Sequence, residues 1–310
     1  MQLLHAVLFF FLVATVSLCQ TAADPYLQRA QRILKSTPII DTHIDFPYSL
    51  VENKEWYTPG YTALALKHPI GDFDFERAKA GGLYGAFMSI YIPASYQKTP
   101  GAPKALADSL IDMVHAIARD YPDKFALAPR ADDIVRNFKK GIVSLPMGIE
   151  NGAPLETLAD VAYFHKRGIR YVTLTHSRDN HICDSSYDTS ENTHGGLSDY
   201  GRDVVREMNL VGILIDVSHL TDDAIWDILK ITTKPVIATH SACRHFTPGM
   251  ERNLPDSLII AIAKNGGVVQ VPFSHYFLSL KSREVFFQCQ KEMKDKGLDD
   301  DSPEGRKFLW

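Results

Sequence analysis

Short apolar runs alternate along this chain with stretches whose apolar residues recur at helical spacing, a pattern that predicts strands and helices in turn. The strand-like runs are Pro38–Asp45, Leu83–Ile92, Ile142–Glu150, Ile169–His176, Val211–His219, Pro235–His240 and Gly267–Phe273. Helical spacing covers Ala102–Asp120, Leu155–Arg167, Asp199–Asn209, Asp222–Lys230 and Pro255–Lys264. An earlier helix over Pro25–Lys35 offers Tyr26, Leu27, Ile33 and Leu34 for packing. Ser198-Asp199 and Thr221-Asp222 supply N-cap oxygens, and Asn253-Leu254-Pro255 puts a proline where a first helical turn tolerates one. Strands alternating with helices argue for a parallel sheet. Seven such units in series predict an α/β fold, a (β/α)8 TIM-like barrel missing its eighth strand. No Gly-x-Gly-x-x-Gly loop follows the first run, which weakens an open dinucleotide-binding sheet.

The residues that end these runs carry the candidate chemistry. The first ends in His43-Ile44-Asp45, and on a strand residues two apart share a side, so imidazole and carboxylate converge. The third ends at Glu150, the fourth at His176, the fifth at His219 and the sixth at His240. Each has an ordinary reading by itself. A strand-end Asp can cap the next helix, a lone His is commonly a hydrogen-bonded structural residue, and Glu150 could sit at a helix N-terminus. Together they would face one another around a barrel mouth, where such enzymes keep their active sites. Imidazole nitrogens beside carboxylate oxygens suit zinc, and there are too many donors for one tetrahedral ion. His43, Asp45, His219 and His240 could form two pairs bridged by the two oxygens of Glu150. Two metals so bridged share an activated hydroxide and stabilise an oxyanion, which is hydrolytic chemistry.

Composition bounds the class. The chain has 310 residues, 45% hydrophobic and 23% charged, with a formal net charge of −4, enough for one large α/β domain. It has no basic stripe, so no nucleic-acid partner is expected. Leu3 to Leu18 is almost wholly apolar and is followed by small residues through Ala23. The run is shorter than a spanning helix, so residues 1–23 are expected to be a secretory signal peptide, with the barrel domain in 24–310 and the product secreted or extracellular. Its n-region has only His5 in place of Lys or Arg, and an uncleaved membrane anchor is the alternative. Signal removal leaves Cys183, Cys243 and Cys289, whose pairing the sequence does not define. No Cys-x-x-Cys pair exists to build a thiolate zinc site, and no glycosylation sequon is present.

Five segments carry a resemblance: Asp-Thr-His-Ile-Asp-Phe-Pro, Gly-Ile-Glu-Asn-Gly, Arg-Tyr-Val-Thr-Leu-Thr-His, Leu-Ile-Asp-Val-Ser-His, and Thr-His-Ser-Ala followed by Arg252-Asn253-Leu254-Pro255. In this order and spacing, over about residues 36–280, the chain resembles the renal (membrane) dipeptidase family of dinuclear zinc metallopeptidases. The resemblance implies a barrel of the metal-dependent hydrolase type with two Zn2+ ions. It implies His43 and Asp45 on one zinc, His219 and His240 on the other, and Glu150 bridging them. It puts His176 where the scissile carbonyl is polarised, and Arg252 where a guanidinium grips the free carboxylate of a dipeptide substrate. Membrane association and a homodimer are both compatible with it.

Three departures accompany the resemblance. Relatives carry an eighth strand whose aspartate serves proton transfer, and nothing like it follows Phe273; Asp299, Asp300 and Asp301 read as a solvated acidic run. Asn151-Gly152 stands where Gly-Gly is usual. The end, Gly305 to Trp310, carries no lipid-anchor signal of the kind some relatives have. The expectation is therefore a dipeptidase or a large piece of one. A non-enzymatic zinc-binding homologue is the alternative from another class, and an amidohydrolase-type deaminase or lactamase a third. These last more often use His-x-His and a modified lysine, against which His43-x-Asp45 and Glu150 count.

Overall fold

A computed structural model describes residues 24–53, 60–69, 71–188 and 193–298. The signal-peptide reading and the acidic run at Asp299 lie outside the described residues. The chain divides into two compact units, Met1–Ile39 and Ile40–Trp310. The first contains the helix Pro25–Ser36, started by Asp24, whose side chain accepts from the Tyr26 amide at 2.8 Å. No residue of this helix is buried, and Tyr26, Leu27 and Ile33 are exposed.

The strands are β1 (Ile39–Ile44), β2 (Leu83–Tyr91), β3 (Phe125–Leu127), β4 (Val143–Leu145), β5 (Met147–Glu150), β6 (Ile169–Thr173), β7 (Leu214–Asp216), β8 (Ile237–Ala238) and β9 (Val268–Val269). Neighbours run β3-β4-β2-β5-β6-β7-β8-β9, with β1 paired to β2. Every ladder from β2 to β9 is parallel. The path β1-β2-β5-β6-β7-β8-β9 therefore visits the seven expected strands in chain order. Among the described residues no ladder joins β9 back to β1, so the barrel is not closed, and Ile40 and Val268 stand exposed at its two edges.

The expected third strand is divided at Pro146, which has no amide to donate but whose carbonyl accepts from Met88 N. Its first half, β4, turns aside to pair with β3, a strand too short to show in the hydrophobic pattern. The strands also end earlier than their apolar runs. His176, His219 and His240 lie two or three residues past β6, β7 and β8, in the loops rather than on the ladders.

The connecting helices bury one stripe each, as their spacing predicts. Leu110, Ile111, Val114 and Ile117 do so on Ala102–Asp120, and Val204, Val205 and Met208 on Asp199–Val211. Ser198 and Thr221 cap their helices by accepting from Gly201 N and Ala224 N. Pro255 is the N-cap of Asp256–Lys264 rather than its first turn. Beyond β9 the polar stretch forms a helix, Leu280–Asp295, with Met293 its one buried residue. Cys183, Cys243 and Cys289 are all free.

Candidate metal centre

Strand β5 delivers Glu150 to the mouth, buried to 3% exposure, between β2 and β6. Its two oxygens look at different histidines. Oε2 lies 3.1 Å from His43 Nε2 and 3.4 Å from the Ser89 hydroxyl, which donates to it. Oε1 lies 3.0 Å from His219 Nε2, 3.3 Å from His240 Nε2 and 3.8 Å from His176 Nε2. These four rings lie far apart along the chain, yet His43 and His240 stack at 3.9 Å and His176 and His219 stand 4.3 Å apart.

Asp45 follows β1 as the N-cap of the helix Phe46–Glu52 but makes no capping bond. Its carboxylate instead comes within 3.4 Å of His43 Nε2 with the side chain 59% exposed. The capping role that a strand-end Asp usually fills is thus not used. Two groups have donor atoms within 4.8 Å of one another: His43 with Glu150 and His240, and Glu150 with His176 and His219. His240 accordingly stands between the halves, also 2.8 Å from His219, rather than with His219 alone.

Charge distribution reflects this crowding. Burial works to raise the Glu150 carboxyl, but the charge of His43 and the imidazoles of His219, His240 and His43 around it hold it well below the usual carboxylate range. Burial works to lower His43, yet Glu150, Tyr171 and Asp45 raise it well above the ordinary imidazole value. Burial, reinforced by the Arg252 charge, depresses His219. His240 is depressed by burial and by His43, and His176 by burial against the opposing pull of Glu150.

These residues fit a metal. Several imidazole nitrogens and two carboxylate oxygens converge in a buried pocket, a nitrogen and oxygen donor set that suits zinc. His219 Nε2 and His240 Nε2 point at each other and at the same oxygen, an arrangement that a cation between them resolves. The left-handed backbone of His219 (φ 72°) and of Asn151 (φ 72°), the residue after Glu150, shows strain held at the site. Asn151 Nδ2 offsets its own by donating to the Ile92 carbonyl and Gln97 Oε1, both at 2.9 Å.

Arg252 lies at the same cavity, of about 940 Å³, which His43, Glu150, His176, His219 and Tyr276 also line. Arg252 is 3% exposed, and its guanidinium donates to Ser241 Oγ at 2.6 Å and the His240 carbonyl at 2.7 Å and stacks 5.5 Å over Phe277. Nε has no partner, and no carboxylate among the described residues pairs with the charge. A solvated surface arginine is thereby excluded. The structure also supplies residues that the sequence reading passed over: Tyr171, whose hydroxyl is 3.0 Å from His43 Nδ1; Thr239, 2.8 Å from His240 Nδ1; and Tyr91, 3.5 Å from His176 Nδ1. Their only signal in sequence is a polar group on an otherwise apolar strand or just past it.

Comparison with known proteins bears on the family. The chain is 32% identical over 260 residues to dipeptidase verJ of Clonostachys rogersoniana, covering 81% of this chain and 66% of that protein. It thus spans about two thirds of the length of the curated relatives it matches. Its fold is similar to a metallopeptidase of Rhodobacter sphaeroides solved with a phosphinate mimic of the dipeptide L-Ala-D-Ala (TM-score 0.70, 25% identity, 78% of this chain and 76% of that one). It is also similar in fold to the probable dipeptidase PvdM of Pseudomonas aeruginosa (TM-score 0.75, 24% identity, 89% and 70%). Residues 27–300 match the family model for membrane dipeptidase, peptidase family M19, and the chain belongs to that family.

Proposed function

We propose that this chain is the catalytic barrel of a dinuclear zinc dipeptidase. The observation that carries the reading is the division of Glu150, with one oxygen at His43 and the other at His219 and His240. In this reading His43 and Asp45 would hold one ion, His219 and His240 the other, and Glu150 would be shared by both. When bound, the pair would supply Lewis acidity, lowering the pKa of a water nucleophile and polarising the scissile carbonyl.

The chain's own residues do the rest. His176, kept neutral by burial, stands beside the metal-facing side of Glu150 and donates to the carbonyl oxygen as it becomes an oxyanion. Arg252 takes the substrate's C-terminal carboxylate. A buried cation without an acidic partner is costly until an anion arrives, so the site favours a substrate that brings one close to its scissile bond. That requirement selects dipeptides over longer peptides. The domain assignment of 1–23 as a removed leader and secretion of the product belong to the same reading.

The test is hydrolysis of simple dipeptides by purified full-chain protein with zinc, against the same dipeptides amidated at the C-terminus. Turnover of the free acids alone supports the proposal. Zinc binding with no turnover of either would favour the non-enzymatic homologue.

A further inference from the structure

Asp216, at the end of β7, is fully buried and accepts hydrogen bonds at both oxygens. Oδ1 takes Ser218 N at 3.0 Å and Thr239 N at 2.9 Å. Oδ2 takes the Thr173 hydroxyl at 2.5 Å and the Thr239 hydroxyl at 2.7 Å. A hydroxyl has one proton, and that of Thr239 is committed to the carboxylate. The same oxygen lies 2.8 Å from His240 Nδ1 and so can only accept there. His240 Nδ1 is therefore the donor at this contact, and in the neutral ring Nε2 is left as an acceptor, 2.8 Å from His219 Nε2 and 3.3 Å from Glu150.

We infer that Asp216 and Thr239 are positioning residues that fix the tautomer of His240, presenting Nε2 ready for a metal. The inference rests on the dinuclear reading of the site but not on its substrate. Orientation of a ligating imidazole through its second nitrogen is a general requirement of metal sites. Here it is delivered through a threonine rather than by the carboxylate directly. The register explains why: Asp216 pairs with Ile237, so Thr239, two residues further on, stands between the carboxylate and the ring.

A carboxylate that merely stitched β6, β7 and β8 together would predict something different. Asp216→Asn keeps the amide acceptor for Ser218 N and Thr239 N but turns a donor toward the threonines. Thr239 would then accept from it and send its own proton to His240 Nδ1, reversing the tautomer. Thr239→Val removes the hydroxyl at nearly constant volume, and Thr239→Ser restores it.

The test is long-range proton–nitrogen correlation of the histidine rings in metal-free full-length protein, with His240 assigned by substitution, alongside zinc affinity by chelator competition. Wild type and Thr239→Ser are expected to show His240 protonated at Nδ1. Asp216→Asn and Thr239→Val are expected to show it at Nε2, with zinc bound about 10–100-fold more weakly. If Thr239→Val keeps the Nδ1 proton, or binds zinc as tightly as Thr239→Ser, the inference is overturned. Should Asp216→Asn fail to fold, the two threonine variants decide alone. A correct tautomer in a protein that binds no zinc would instead sink the metal reading and leave the relay standing.

Discussion

The ring of Tyr171 occupies the space that any side chain on Gly148 would need. The two residues are directly opposed across β5 and β6, at a point where the register slips by a residue. With only hydrogen on Gly148, the phenol lies across the strand and its hydroxyl reaches His43 Nδ1 at 3.0 Å. Gly148→Ala must push the ring aside. Overpacking of this kind costs about 1–3 kcal/mol. Urea denaturation should show that loss, and zinc should bind more weakly because His43 loses its outer support. Unchanged zinc affinity in a destabilised variant would mean that the Tyr171 contact serves packing alone.

His176 stands 3.8 Å from Glu150 Oε1 and belongs to a group able to hold an ion, so its role needs separating from that of a ligand. As an oxyanion donor it should be dispensable for metal. His176→Ala is expected to retain the wild-type zinc content by elemental analysis while kcat falls about 10²–10³-fold. Loss of zinc in step with activity would reassign it to the metal.

How far this site could be read in advance follows from which of its interactions are local. His43, Glu150, His176, His219 and His240 are visible because each ends an apolar run, and the barrel topology gathers run ends at one mouth. Asp216, Thr239 and Tyr171 are not, because each is set by a partner from another strand and the pairing depends on register: Thr173 with Asp216, Asp216 with Ile237, Gly148 with Tyr171. A one-residue slip would turn every one of them away. Length is a second limit: it hid β3, whose Phe125-Ala126-Leu127 is too brief to alternate.

Arg252 is buried, its Nε is unused, and no carboxylate among the described residues pairs with its charge. Arg252→Met keeps length and removes the cation. Breaking one side of a buried charge pair costs about 2–5 kcal/mol, so kcat/KM for dipeptides should fall on the order of 10²–10³-fold. Dipeptide amides, which bring no anion, should be turned over equally poorly by both proteins. An equal loss on acids and amides would show that Arg252 acts through the shape of the pocket instead.

Stability at acid pH should depend on Asp160, which lies away from the metal centre. It starts the helix Leu158–Arg167 by accepting from Thr157 N at 2.7 Å and Thr157 Oγ1 at 2.9 Å, and it pairs with Lys104. Burial works to raise its pKa, but the Lys104 bond and the two from Thr157 outweigh burial and set it below the ordinary 3.8. A carboxyl depressed in the folded state contributes stability that is complete above the unfolded value and disappears as pH falls through the folded one. Asp160→Asn, which loses the ion pair and weakens the cap, should cost about 1–2 kcal/mol near neutrality. The gap between the two urea midpoints should stay full down to about pH 5 and narrow below about pH 4, as wild type loses the same charge. A gap that held constant through that range would place the contribution of Asp160 in the geometry of its hydrogen bonds to Thr157 and not in its charge, because protonating wild type would then remove nothing that asparagine lacks.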